Sequence, residues 1–409
     1  MTPAGRGWNY VVLAMVGITA LAFPHRAGAQ LAISLDELTL ELDLGGSGEV
    51  AFHRIGGVAL SGAEELFVVD QFNHSVRSFD LQGRLLREFG GRGAGPGEFE
   101  FPTGLVVRDS TLRVIDVPLA RLSTFSLDGT LLGTEPYRLT GPTERSPSRH
   151  GLSLIAPFRM GWTLAWSSPQ GGFVDQPIAS IDFDSYVVAV DDGGQQDTLL
   201  VMPQSWEVFY RRDSPNLVSG GLGGGFGLSG VWDVSGDSLV AVLDTYTGRG
   251  RVLRVTDTGL REAGTFDLDW RPLPVDQARE VEAARRRATT VRGGSPGDYE
   301  ITVPEYYAQS GRILFADGGR LWIHHDPDMG GVIGPDRDLW YKNDEPQQWS
   351  VVSWLSGRVL ATVETPANIF VQGVEGRRLF GIHYDELDVQ TVRVYRIPAT
   401  PPMRRLVPL

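Results

Sequence analysis

Apolar residues in this chain come in runs of four to seven, separated by Gly, Asp, Asn and Pro. Short apolar runs bounded by turn residues predict many brief antiparallel strands. The runs also repeat. SVRSFDLQGRLLREFG at 75–90 returns as RLSTFSLDGTLLGTEP at 121–136, an offset of 46 residues, with Phe79, Leu81 and Gly83 matched by Phe125, Leu127 and Gly129. LFVVD ends at Asp70 and LRVID at Asp116 with the same offset, and a third copy runs from LVAVLD, ending at Asp244, through RVLRVTDTGLREAG. Each copy reads as a strand, a tight turn, a strand, a Gly turn and a strand, the Gly taking the backbone angle a hairpin demands. One such meander has two apolar faces and cannot stand alone. Packed radially against its neighbours it buries both, and a period of this length is that of a propeller blade.

Six units follow from the spacing: 57–90, 102–136, a less regular 152–202, 227–268, one beginning near Tyr307, and 369–397. The expected fold is therefore all-β, a six-bladed β-propeller over 48–398. The sixth unit has three strands, and the stretch GEVAFHRI at 48–55 is expected to close the ring by completing that last blade, protecting its edge. Residues 275–289, VDQAREVEAARRRAT, read as a helical insert, 30–47 as a lead-in and 399–409 as a tail.

The N-terminus adds a destination. Arg6, the uncharged run Val11–Phe23 and Ala27-Gly28-Ala29 make 1–29 a cleavable signal peptide, too short for a comfortable membrane span. The mature chain is expected in the periplasm or outside the cell, as a monomer with no stable membrane span. It has no Cys, so disulfides are excluded and any metal must be held by His, oxygen ligands or water. Formal charge is −13, and −15 once Arg6 and Arg26 leave with the signal, which argues against a nucleic-acid partner.

In unit one, LFVVDQFNHSVRSFDLQGRLLREFG resembles an NHL repeat, with Asp70, Asn73, His74, Phe79, Asp80 and Gly83 at the pattern's positions. The connector GGRGAGPGEFEFPTGLVV and the ending GIHYDELDVQTVRVYRI are similar to exported, largely uncharacterised bacterial six-bladed propellers. Such propellers include protein-binding modules, a zinc-dependent lyase and, among related rings, calcium-dependent lactonases. The resemblance therefore implies a fold and leaves two functions open. The favoured expectation is a binding or scaffold module for a protein, peptide or carbohydrate. The alternative is a calcium- or zinc-dependent hydrolase or lyase with its site at the central channel.

The richest set of possible ligands is His383, Asp385 and Glu386 in IHYDELD, the candidate metal residues. His324 and His325 end one strand and must point to opposite faces, so His324 alone is a candidate. Trp206, Tyr210 and Arg211, between units three and four, are candidates for gripping a peptide or sugar at one end of the channel. His74 reads as a turn-shaping residue. No three histidines fall at equivalent inward positions, and no Gly-x-Ser-x-Gly elbow is present.

Overall fold

The structure, a computed structural model, describes residues 31–399 except 46–49, 109, 137–149, 159–161, 170–171, 174–181, 192–195, 206–207, 212–213, 221–229, 236–237, 257–258 and 326–343. Between 150 and 220 the strands are described and their side chains are not. The expected signal segment 1–29, the residues 400–409 of the expected tail and Trp206 lie outside the described residues.

Blade A is the antiparallel meander Ile55–Leu60, Leu66–Asp70, Ser75–Phe79 and Leu85–Gly90. Blade B repeats it with Pro102–Arg108, Thr111–Asp116, Arg121–Ser126 and Leu131–Pro136. Blade C comprises Gly230–Ser235, Leu239–Asp244, Arg249–Thr256 and Gly259–Asp267. Blade D comprises Ile313–Ala316, Arg320–His325, Gln347–Ser353 and Arg358–Thr365. Blade E comprises Ile369–Glu375, Arg378–Tyr384 and Gln390–Arg396, with Thr39–Leu44 as its fourth strand.

The second strand of blade A explains why these sheets pack. All five residues of Leu66–Asp70 are buried. Side chains alternate between faces, so Leu66 and Val68 join the core shared with blade E, including Phe380 and Val392, while Phe67 and Val69 join the core shared with blade B, including Leu112 and Val114. Each such side chain contributes about 1.5–3 kcal/mol on burial. Gly129, at φ 88°, shows why the hairpin residue is glycine: a Cβ there would stand 2.8 Å from the Phe89 ring of the preceding blade.

Two expectations are corrected. First, contacts between innermost strands link five blades in the order C, D, E, A, B. Unit three is a separate antiparallel sheet of longer strands, His150–Phe158, Trp162–Pro169, Asp182–Asp191 and Gln196–Ser205. Its first strand makes no comparable contact with either neighbour among the described residues, so the propeller is five-bladed rather than six-bladed. Second, 48–55 does not complete the last blade. The Asp70 carboxylate accepts the backbone N–H groups of His53 and Arg54, removing donors a strand ladder would need. Ile55 already begins blade A, and the strand beside Gln390–Arg396 is Thr39–Leu44, from the expected lead-in. Just upstream, Leu31–Ile33 pairs in parallel with Arg358–Thr365 of blade D.

In a four-strand meander the turn between strands two and three and the connection to the next blade lie at the same end. The long insertions all leave from that end. A small sheet joins Gly172–Phe173, Ser214–Gly220, Val208–Arg211 and Tyr299–Thr302. Beside it lies helix α1, Gln277–Arg292, in the connection from blade C to blade D. Asp276 caps the helix by accepting the Arg279 N–H, and Glu280, Ala284 and Ala288 form its buried stripe at four-residue spacing. Glu280 is held there by Tyr307 Oη at 2.9 Å and by Arg279.

Candidate binding face

Among the described residues, the candidates His324, Tyr210 with Arg211, and His383 with Asp385 and Glu386 lie at three different strands. His324 is buried in blade D, its Nδ1 accepting the Gly311 N–H at 3.3 Å and its ring lying edge-on to Trp349 at 5.5 Å. Burial, then neighbouring His325, pushes its pKa down to about 3, so it is a neutral core imidazole at ordinary pH. His325 stacks on Trp270 with centroids 4.4 Å apart, away from its neighbour's surroundings. Tyr210 and Arg211 lie in the cap strand Val208–Arg211, opposite Glu300 and Tyr299.

His383 lies one residue before the end of the second strand of blade E and is half-buried, with Nδ1 shielded from solvent and without a hydrogen-bond partner. Burial chiefly, then the Arg393 cation, lowers its pKa, against Asp43 and Asp385. Asp385 spends one carboxylate oxygen on the N–H groups of Leu387 and Val389, both at 2.8 Å. Glu386 is exposed. Among the described residues no three His, Asp or Glu side chains gather as metal ligands.

What the 383–389 segment does display belongs to a pattern. The turn between strands two and three closes with the same bond in three blades, A, B and E, while in blade C the Gly248 N–H reaches back one residue further, to the Asp244 carbonyl. Gln71–His74, Val117–Ala120 and Asp385–Asp388 each close with a bond from the fourth N–H to the first carbonyl, at 3.3, 3.0 and 3.0 Å. The fourth residue is left-handed each time: His74 at φ 55°, Ala120 at 46°, Asp388 at 62°, and in blade C Gly248 at 72°. The preceding aspartates brace the frame. Asp70 accepts from Asn73 Nδ2, and Asp116 from the Leu119 N–H and from Glu100 and Phe101 of the incoming connector. On this constant frame the tips vary: Phe72-Asn73, Pro118-Leu119, Tyr246-Thr247 and Glu386-Leu387. Apolar side chains on three of these turns face solvent, with Leu387 84% exposed, Phe72 53% and Val117, at the start of its turn, 49%. Phe72 also meets Phe101 of the next connector at 5.8 Å.

A second feature the sequence reading passed over lies between the innermost strands of blades C and D. Asp233 Oδ2 accepts the Phe315 N–H at 2.7 Å, and the Arg312 guanidinium stacks on the Phe370 ring of blade E at 4.4 Å. Asp233 keeps some exposed surface, yet desolvation pushes its pKa up to about 6, against its hydrogen bonds and Arg312. A lone Asp inside the apolar first strand, VWDVS, was the available signal for it. For Leu387 the signal was a leucine in a turn of carboxylates.

A family model, DUF5128, described as a 6-bladed β-propeller, matches residues 42–139. That span covers Thr39–Leu44 in part and blades A and B, so it bears on blade type and not on blade number. It also displaces the NHL resemblance. In this structure the Asn73–His74 pair builds the turn of blade A, and blade B makes the same turn with Pro118-Leu119-Ala120. No curated protein matches the chain. Solved structures similar to it include a member of the DUF4221 family from Bacteroides vulgatus, at 12% identity and TM-score 0.48, covering 90% of this chain and 96% of that one. A candidate exported protein from Bacteroides fragilis gives 12% identity and TM-score 0.45, covering 90% and 99%. Virginiamycin B lyase from Staphylococcus aureus gives 12% and 0.38, covering 88% and 100%.

Proposed function

We propose that the chain is an exported propeller whose work is binding, with a protein, peptide or carbohydrate held at the end of the ring where the variable turns and the cap gather. One observation carries this reading: a turn closed by the same bond, with the same left-handed fourth residue, presents different tips on blades E, A and B. Fixed frames with variable tips suit recognition, because a rigid turn loses little entropy when its tip is covered. Apolar tips exposed on blades E, A and B are what a partner would cover, while the cap rises from unit three and the connection between blades C and D.

The test compares the mature chain with a Phe72→Ser/Val117→Ser/Leu387→Ser variant on arrays of immobilised peptides and oligosaccharides. Discrete ligands bound by the parent and lost by the variant, at unchanged melting temperature, are expected. Ligands bound equally by both would remove this face from the function. Export is checked separately by N-terminal sequencing of the protein recovered outside the cytoplasm, which should begin at Gln30.

A further inference from the structure

Resting on that reading, we infer that the partner is a protein segment carrying an apolar anchor flanked by Lys or Arg, docked over the turns and connectors of blades E, A and B. The apolar part of the surface is Leu387 and Val389 on blade E, Phe72 on blade A, and Val117 on blade B. Leu387 is the anchor. It is the most exposed of the large apolar side chains among the described residues, and both the turn bond from the Asp388 N–H to the Asp385 carbonyl and the Asp385 carboxylate fix its backbone. A tip whose backbone is already fixed costs less ordering when it is covered.

The charge around these tips selects the partner. Exposed carboxylates at the same end are Asp385, Glu386 and Asp388 on the turn, and Glu98 and Glu100 on the connector between blades A and B. Against these five, among the described residues, stand Arg54 and Arg92, the exposed guanidinium groups of the connectors before blade A and between blades A and B. The whole chain is acidic as well, at −13. An acidic rim around apolar tips repels acidic segments and speeds the encounter with basic ones. A neutral sugar carries no charge for the carboxylate excess to attract, and the anchor Leu387 has no ring face, so stacking would fall to Phe72 alone.

Peptides are selected from a random displayed library against the immobilised mature chain. The winners are titrated against the parent, Leu387→Ser, Phe72→Ser and Glu386→Gln/Glu100→Gln, each with its melting temperature checked. The expected winners place Leu, Met or Phe beside Lys or Arg. Leu387→Ser should weaken them about 10-fold or more, as loss of an anchor does. Glu386→Gln/Glu100→Gln should weaken them a few-fold and flatten their dependence on salt. Acidic or uncharged winners, or winners indifferent to Leu387→Ser, overturn the inference. Winners lost with Phe72→Ser and kept with Leu387→Ser sink the blade E anchor and leave the binding face standing. Leu387-dependent binding of an oligosaccharide with no peptide winner overturns the partner class alone, and failure of every probe overturns both.

Discussion

Asp70 and Asp233 are both aspartates among apolar strands, and they stand in opposite situations. Asp70, at the end of the second strand of blade A, is fully buried and saturated: Arg77, Asn73 Nδ2 and the backbone N–H groups of His53 and Arg54 all donate to it. Asp233, on the innermost strand of blade C, takes the Phe315 N–H, and desolvation dominates its titration. The difference teaches that the repeat's aspartate is a structural ligand for the chain itself, binding the connector that enters its blade. Asp233 is a carboxylate kept under strain.

The comparison breaks first at Asp70. Asp70→Ala leaves the Arg77 guanidinium, 12% exposed, without its carboxylate, and should cost about 3–5 kcal/mol in urea unfolding. A loss under 1 kcal/mol would mean that the connector holds itself. Next is His324, whose folded pKa of about 3 lies below its unfolded value. The unfolded chain takes the proton first, so stability is present above pH 6.5 and lost as pH falls toward 3. Between pH 7 and pH 5 this contributes about 2 kcal/mol, and His324→Asn, which keeps an acceptor for the Gly311 N–H, should remove that part of the slope.

Asp233 has the opposite sign. Its folded pKa of about 6 lies above the ordinary carboxylate value of 3.8, so its neutral form is favoured by folding and stability falls as pH rises from about 4 to 6. Asp233→Asn should therefore stabilise the protein by about 1–2 kcal/mol at pH 7.5, a figure reduced for its partial exposure, and change nothing below pH 4. Equal gains at both pH values would place the effect in packing. The smallest expected effect is at Ala120, left-handed at φ 46°. Ala120→Gly should stabilise by about 0.5–1 kcal/mol in a thermal melt with no change at the tip.

The blades legible in the sequence were those with a local signature. Asp70, Asp116 and Asp244 mark strand ends, and Gly83 and Gly129 mark hairpins, because turn geometry is decided by residues next to one another. Pairings over long distance were not legible. TLELDL at 39–44 and GEVAFHRI at 48–55 are both short segments with apolar residues, and nothing local in either says which will meet Gln390–Arg396. The carboxylate of Asp70, holding residues 53 and 54, settles it. Unit three resembled a blade in its apolar runs, but its strands of eight to ten residues exceed the five or six of blade A, and register with its neighbours has no local marker. The carboxylates of IHYDELD looked like ligands because composition cannot tell an oxygen offered outward from one folded back on its own turn, as Asp385 is.

The pairing of Thr39–Leu44 with Gln390–Arg396 also sets an order of events. The strand is synthesised long before its partner. Until residue 396 has left the ribosome, Leu42 and Leu44 have no blade E to complete, and that apolar edge must wait in the open or be shielded. Blades A and B have only local pairings to make and can form during synthesis. Completion of blade E is then the late, slow step, and a chain truncated before residue 390 would keep most of its sheets and still release an unsatisfied strand at its beginning.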